Sequence, residues 1–248
     1  MFEDTIWEQI EPAAGAFDIV GDVHGCLDAL KRLAETLGYD ADFKQPGRKL
    51  AFVGDLINRG PDSAGVLKSV IALVDSRDAY AVLGNHDDTL RRYLDGEEMH
   101  LKGDMEATVA SLDATADQPQ FRERVRIFLN RRPLILNLDE GRLLVAHAGI
   151  PNGMRERRDL EARNCILNGD VVGKSPEGKT LRWDWAGAYH GDAFIAYGHT
   201  PMPRAEIRFN TVNVDTGSVR GGFLTALRWP EMTTVSVPSG YSWHRPHK

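Results

Sequence analysis

A chain of 248 residues with 42% hydrophobic and 27% charged residues has the make-up of an ordinary soluble globular protein and can build its own core without cross-links. Thirty Lys and Arg against 36 Asp and Glu give a formal net charge of −6, which excludes general coating of nucleic acid as the main task and expects no stable nucleic-acid partner. Two cysteines, Cys26 and Cys165, are too few for a disulfide framework or a structural zinc site and fit a reducing compartment. The segment Met1–Trp7 is acidic, with no basic region leading into an apolar run, and no stretch reaches the roughly 18 apolar residues of a membrane span. The expectation is a cytoplasmic protein with no membrane partner; oligomeric state is left open.

In chain order, one local unit recurs: a short apolar run, a Gly with a polar residue, then a helical pattern. Phe17–Val20 runs into Gly21-Asp22, and Leu27, Leu30, Leu33 and Leu37 follow at helical spacing until Gly38 stops them. Leu50–Val53 runs into Gly54-Asp55, and Pro61 opens a second helix with Val66, Val70, Ile71 and Val74 as its apolar face. Ala81–Leu83 runs into Gly84-Asn85-His86, ahead of Leu90 and Leu94. Three such units in series predict an α/β architecture with a mostly parallel sheet.

The second half reads differently. A polar stretch over 104–131 predicts helix. Strands then cluster at Leu134–Leu138, Arg142–His147, Phe194–Gly198, Thr211–Val214, Phe223–Trp229 and Thr233–Val237. Asp139-Glu140-Gly141 between the first two is a hairpin turn. Residues 151–181 predict a helical insertion followed by a loop, with Arg155–Arg158 as a solvated helix face. Parallel units early and antiparallel strands late predict two packed mixed β-sheets flanked by helices, in a single domain over 1–248.

The polar residues that follow the strands are of one kind: Gly21-Asp22-Val23-His24-Gly25, Gly54-Asp55 through Asn58-Arg59-Gly60, Gly84-Asn85-His86-Asp87, His147-Ala148-Gly149 and Gly198-His199-Thr200. Each sits just beyond the carboxyl end of an apolar run, where open α/β sheets place their ligand crevice. Carboxylate, imidazole and amide oxygen without thiolate suit Mn, Fe, Zn, Co or Ni. Asp22 and His24, two apart at the end of one strand, point the same way and can grip one ion. Any one of these pieces is commonplace, since an Asn-His pair before a helix is more often a cap than a ligand. The five together, in order and all at strand ends, are hard to produce by packing needs alone.

This series resembles the calcineurin-like metallophosphoesterases, in the branch nearest the protein serine/threonine phosphatases, over nearly the whole chain. The later segments Arg182–Ala186, Tyr197–Pro201, Val212–Gly217, Leu224–Arg228 and Val235–Pro238 are similar to two narrower groups, bacterial asymmetrical dinucleoside tetraphosphatases and the phosphatase domain of bacterial polynucleotide kinase-phosphatases. The resemblance implies a four-layer αββα fold and two divalent transition-metal ions, Mn foremost. It implies that Asp22 and His24 hold the first ion, that Asp55 bridges both, and that Asn85, His147 and His199 complete the second site. Two such ions roughly 3.5–4 Å apart turn a bridging water into a hydroxide for in-line attack on phosphorus. Arg59 would hold phosphate oxygens, and His86 would protonate the leaving oxygen. The activity implied is hydrolysis of a small phosphorylated substrate, a nucleotide, with diadenosine tetraphosphate cleaved to ATP and AMP. A protein serine/threonine or tyrosine phosphatase, an RNA-end phosphatase or 2′,3′-cyclic phosphodiesterase, and a catalytically silent binding module are the alternatives.

One residue departs from the pattern. The protein phosphatases carry Asp where this chain has Asn58, and that Asp pairs with the catalytic histidine. An amide can orient His86 but cannot stabilise an imidazolium by charge, so leaving groups that are already acidic should suit this chain best. Two further candidates are Asp215, as acceptor for a metal-bound histidine or simply a turn aspartate, and Arg182, as a second phosphate contact or a surface ion pair. Trp183, Trp185 and Tyr189 read as core or interface, Cys26 as a packing residue, and His100, His190, His244 and His247 receive no role.

Overall fold

The structure is a computed structural model that describes residues 6–242 apart from 12, 13, 177 and 179. Met1–Thr5, His244 and His247 lie outside the described residues. The strands are β1 (Glu8–Ile10), β2 (Ala16–Val20), β3 (Arg48–Phe52), β4 (Ala79–Ala81), β5 (Ile135–Leu138), β6 (Leu143–Ala146), β7 (Val171–Lys174), β8 (Thr180–Arg182), β9 (Phe194–Tyr197), β10 (Ile207–Arg208), β11 (Thr211–Asn213), β12 (Asp215–Thr216), β13 (Phe223–Trp229) and β14 (Thr233–Pro238). The helices are α1 (Leu27–Leu37), α2 (Ser63–Asp75), α3 (Asn85–Leu94), α4 (Asp104–Asp113), α5 (Gln118–Asn130) and α6 (Leu160–Asn168).

Two six-stranded sheets carry the fold. One runs β12-β13-β2-β3-β4 with β14 on β13, and the other runs β1-β5-β6-β9-β11-β10. In the first, β2, β3 and β4 are parallel, as the three early units predict, and β13 joins antiparallel to β2. The second is mixed. Its β6, β9 and β11 are parallel, with antiparallel pairs only at β5/β6 and β10/β11. The late strands are therefore antiparallel at β5/β6, β10/β11, β12/β13 and β13/β14 but parallel at β6/β9 and β9/β11, because the segment between β6 and β9, which contains α6, makes a crossover rather than a hairpin.

Alternation along the strands explains how the sheets meet. Phe17, Ile19, Ala51 and Val53 face Leu136, Leu143, Val145, Ala196 and Val212 in one buried cluster between the sheets. The residues between them, such as Val20, Leu50 and Phe52, face outward onto Leu30, Leu33, Leu67 and Val70. The outer face of the second sheet, with Leu144 and Ile195, is covered by Ile150, Ile166 and Trp185. The result is helix, sheet, sheet, helix. No helix among the described residues is long and apolar enough to cross a membrane.

Local differences from the sequence reading have local causes. The second helix starts at Ser63, not Pro61, because Asp62 caps it by accepting the Gly65 N–H at 2.7 Å. The polar stretch 104–131 is two helices, with Pro119 in the first turn of α5 restarting the chain. The loop after α6 contains the hairpin β7/β8. Arg155–Arg158 is not a helix face: it precedes α6, with Arg155 on Glu8 and Arg157 on Asp159 and Glu161.

Candidate metal centre

Every strand that feeds the site stops short of its polar residue. β2 ends at Val20, β3 at Phe52, β4 at Ala81, β6 at Ala146 and β9 at Tyr197, so the functional side chains lie on turns at the carboxyl edge of both sheets. Asp22 and His24 therefore do not converge by strand alternation. The chain turns between them, and His24 has φ +44°. Asp55, Asn58, Arg59 and His199 also sit in the left-handed region, at φ +50°, +72°, +68° and +72°. Non-glycine residues rarely adopt such values, and they persist only where the surroundings hold them.

Two glycines make the approach possible. Gly54 has φ +91°, and a side-chain carbon there would meet Gly84 N at 2.5 Å, so the Asp55 and Asn85 turns touch only because both positions are bare. A Cβ on Gly198 would fall 2.1 Å from Asp22 Oδ1. Instead the neighbouring His199 N–H donates to both Asp22 oxygens at 3.2 Å.

Asp55 stands in the middle. Its Oδ2 is 3.5 Å from His24 Nε2 and its Oδ1 is 3.4 Å from His147 Nε2. On one side, His24, Asp55 and His86 bring donor atoms within 4.8 Å of one another; on the other, Asp55, His147 and His199 do the same. Asp22 Oδ2 lies 4.0 Å from His24 Nε2. Asn85 Oδ1 lies 3.0 Å from both His147 Nε2 and His199 Nδ1, and those two nitrogens are 3.0 Å apart. All seven motif residues thus meet in one place.

This donor set fits divalent cations. His24 Nδ1–H donates to the Ile57 carbonyl at 2.8 Å and His147 Nδ1–H to the Val53 carbonyl at 2.9 Å, which leaves both Nε2 lone pairs aimed inward. Main-chain anchoring of the outer nitrogen is how metal-binding imidazoles are usually oriented. Asn85 Oδ1 and His147 Nε2 are both acceptors at 3.0 Å, an arrangement that a shared cation relieves. Charge points the same way. Burial, and then the Asp215 and Asp55 carboxylates, push the Asp22 carboxyl well up. Burial also raises Asp215, to about 6. Burial would raise Asp55 too, but the four imidazoles around it hold it below the ordinary carboxylate range. Burial lowers His24 and His199 to about 3, so both are neutral, each with a ring nitrogen lone pair that a cation can use. Buried carboxylates of like sign are stable only when a positive charge joins them.

Arg59 lies across the first group. Its Nη1–H donates to His24 Nε2 at 2.7 Å, and its Nη2 is 2.8 Å from His86 Nε2. His24 Nε2 can serve either a cation or this guanidinium. His86 is half-buried, and burial lowers its pKa. Its Nδ1 lies 2.6 Å from the Asn58 amide nitrogen.

The secondary candidates fall around this centre. Asp215 is buried, and its carboxylate accepts the Gly217 N–H at 3.0 Å and lies near Asp22 rather than hydrogen-bonding a histidine ring. The rings of His24 and His147 are held by main-chain carbonyls instead. Arg182, on β8, donates from Nε to the Asn168 carbonyl at 3.2 Å and lies within electrostatic reach of His199. Trp185 is core, packed on Tyr189 and Tyr197, while Trp183 is exposed. Asp87, expected only as a carboxylate favoured at a helix amino end, is buried there and accepts the Leu56 and Gly84 N–H groups, both at 3.1 Å, which also ties the Asp55 turn to α3. One group escaped the sequence reading: Thr108 reaches Asn58 from α4, and nothing around it in the sequence marks it.

The sequence profile of the calcineurin-like phosphoesterases matches residues 16–224. The chain belongs to that family. It is 46% identical over 238 residues, 93% of this chain and 97% of the relative, to the asymmetrical bis(5′-nucleosyl)-tetraphosphatase PrpE of Geobacillus thermodenitrificans. Among solved structures, one provisionally described as a diadenosine tetraphosphatase superposes with a TM-score of 0.70 at 25% identity, covering 97% of this chain and all of the other. A protein serine/threonine phosphatase from Saccharomyces cerevisiae shares the fold, with a TM-score of 0.61 at 14% identity over 100% of this chain and 88% of its own. As a calcineurin-like phosphoesterase, the chain is a metal-dependent phosphohydrolase.

Proposed function

We propose that this phosphoesterase is a single-domain cytoplasmic hydrolase that cleaves dinucleoside tetraphosphates asymmetrically, diadenosine tetraphosphate giving ATP and AMP. The observation that carries the reading is the placement of Asp55, one oxygen toward each of two donor groups at 3.5 and 3.4 Å. The substrate rests on likeness to a tetraphosphatase over almost the full length of both chains.

Asp22, His24 and Asp55 would hold one cation, and Asp55, Asn85, His147 and His199 the other. Manganese is the ion we propose, on the family resemblance; oxygen and nitrogen ligands without sulfur accept it, as they do Fe, Zn, Co or Ni. When bound, the pair of ions supplies Lewis-acid charge for the phosphate oxygens and an activated water. The chain does the rest. Three carboxylates, Asp22, Asp55 and Asp215, face that charge, all buried, so the mouth keeps a net attraction for phosphate. Arg59, once drawn off His24, offers a planar fork to two phosphate oxygens. His86 stands beside it, with Nε2 2.8 Å from the guanidinium, and would serve the leaving oxygen. The strained turns fix these groups before substrate arrives, so little reorganisation is needed.

The test is product analysis with Mn²⁺ supplied. Diadenosine tetraphosphate should yield ATP and AMP in equal amounts, at a kcat/KM above that for a phosphopeptide or a 2′,3′-cyclic nucleotide. Two ADP, or faster release of phosphate from the peptide, would replace the proposal.

A further inference from the structure

Thr108 lies on α4, outside every sequence motif, and is buried beside the Asn58 turn. It closes a ring of hydrogen bonds that begins and ends on Asn58. The Asn58 backbone N–H donates to Ser63 Oγ at 3.0 Å, Ser63 Oγ is 3.2 Å from Thr108 Oγ1, and Thr108 Oγ1–H donates to Asn58 Oδ1 at 2.6 Å. The direction of this ring follows from its first member, because a backbone N–H can only donate. Ser63 accepts from it and passes its own proton to Thr108, which passes its proton to the amide oxygen. With the amide turned over, Thr108 would donate to Ser63 as well. Ser63 would then accept twice, and its own proton would have no place in the ring. Asn58 and Ser63 are 2% and 4% exposed, so water is not at hand to take that proton.

With its oxygen held by Thr108, the Asn58 amide presents its NH₂ to His86 Nδ1 at 2.6 Å. That nitrogen must offer a lone pair, and the ring proton of a neutral imidazole then sits on Nε2. Arg59 Nη2, 2.8 Å from Nε2, is also only a donor, and one lone pair cannot serve two donors. The amide is fixed by a closed, buried ring, whereas the guanidinium ends a flexible stem and has phosphate to take.

We propose that Thr108 is a positioning residue: through Asn58 it holds the His86 ring proton on Nε2 and thereby favours leaving groups that depart as anions. The proposal rests on the phosphohydrolase reading above. As the water oxygen bonds to phosphorus, the P–O bond to the departing nucleotide breaks with its electron pair on the leaving phosphate oxygen. That oxygen accepts the Nε2–H hydrogen bond, the ring keeps its proton, and the protons of the consumed water pass to solvent. A phosphoanhydride needs no more than this. An alkoxide needs a proton outright.

The experiment is ring-nitrogen NMR on ¹⁵N-histidine protein loaded with diamagnetic Zn²⁺, with kinetics on the same samples. In the parent protein His86 should show a protonated Nε2 and an unprotonated Nδ1. Thr108→Val keeps the volume and loses the donor, and should move His86 toward the Nδ1–H form. Its kcat on diadenosine tetraphosphate should fall about tenfold with KM unchanged. Thr108→Ser should restore both the spectrum and the rate to within about twofold. If Thr108→Val does not fold, Ser63→Ala breaks the same ring from α2 and should show the same shift. A parent His86 protonated on Nδ1, or a Thr108→Val spectrum identical to the parent, overturns the proposal. These spectra need no substrate, so a failure to cleave the tetraphosphate would strike the substrate reading while leaving the ring assignment to be judged by the spectra alone.

Discussion

Replacing Asn58 by Asp puts a carboxylate oxygen where the amide nitrogen now lies 2.6 Å from His86 Nδ1. The site is 2% exposed at Asn58, so the new charge is poorly screened. An opposite charge this close typically raises a histidine pKa by about 1–3 units, or about 1.4–4 kcal/mol in favour of the imidazolium. Its second oxygen still accepts the Thr108 hydroxyl, so the geometry survives. For an alkyl phosphate, with the proton roughly half transferred in the transition state, half of that energy should appear in the rate, an increase of about 3- to 30-fold. For diadenosine tetraphosphate the leaving oxygen needs only the Nε2–H hydrogen bond, which the imidazolium keeps, and kcat should change less than about twofold where that ring is protonated on both nitrogens. The assay is paired kcat measurement on an alkyl phosphate and the dinucleotide, parent against variant, at one pH and saturating Mn²⁺. Equal change on both substrates would refute the reasoning.

Further outcomes follow from the same geometry. His24 and His199 are held near pKa 3, below their ordinary 6.5; the unfolded chain binds those protons first, so metal-free protein should keep this stability above pH 6.5 and lose it progressively down to about pH 3, which urea midpoints against pH would show. A flat profile would contradict the burial of those rings. Gly198→Ala would drive a methyl carbon to 2.1 Å from Asp22 Oδ1 and should weaken cation binding at least tenfold by calorimetry, at a stability cost of about 1–3 kcal/mol; unchanged affinity would remove Asp22 from the site. Trp229→Phe deletes a 2.7 Å hydrogen bond to the buried Asp139, far from the centre, and should cost about 1–3 kcal/mol in denaturant unfolding while kcat stays the same.

Much of this was readable in the sequence because the site is built from contiguous pieces. Each polar cluster follows a strand, and the glycines beside Asp22, Asp55, Asn85 and His199 mark turns that only bare positions permit. The parallel β2, β3 and β4 were legible for the same reason: each leads directly into a helix. What was not legible depends on long-range pairing. Nothing local tells that β13 would insert beside β2, 206 positions from Ala226 to Val20 in register, or that β9 and β11 would run parallel. The periodicity over 104–131 shows helix but not the break before α5. Thr108 was hidden because its role lies in one hydroxyl meeting an amide 50 positions earlier, and no spacing rule expresses that.

The claim on which the account turns is that Asp55 is shared between two cation sites. Metal stoichiometry and affinity by calorimetry and elemental analysis, on the parent and on Asp55→Ala, His24→Ala and His147→Ala, test it directly. The parent should bind two Mn²⁺ per chain, the two histidine variants one each, and Asp55→Ala neither tightly. An Asp55→Ala protein that still held one ion at parental affinity would contradict it.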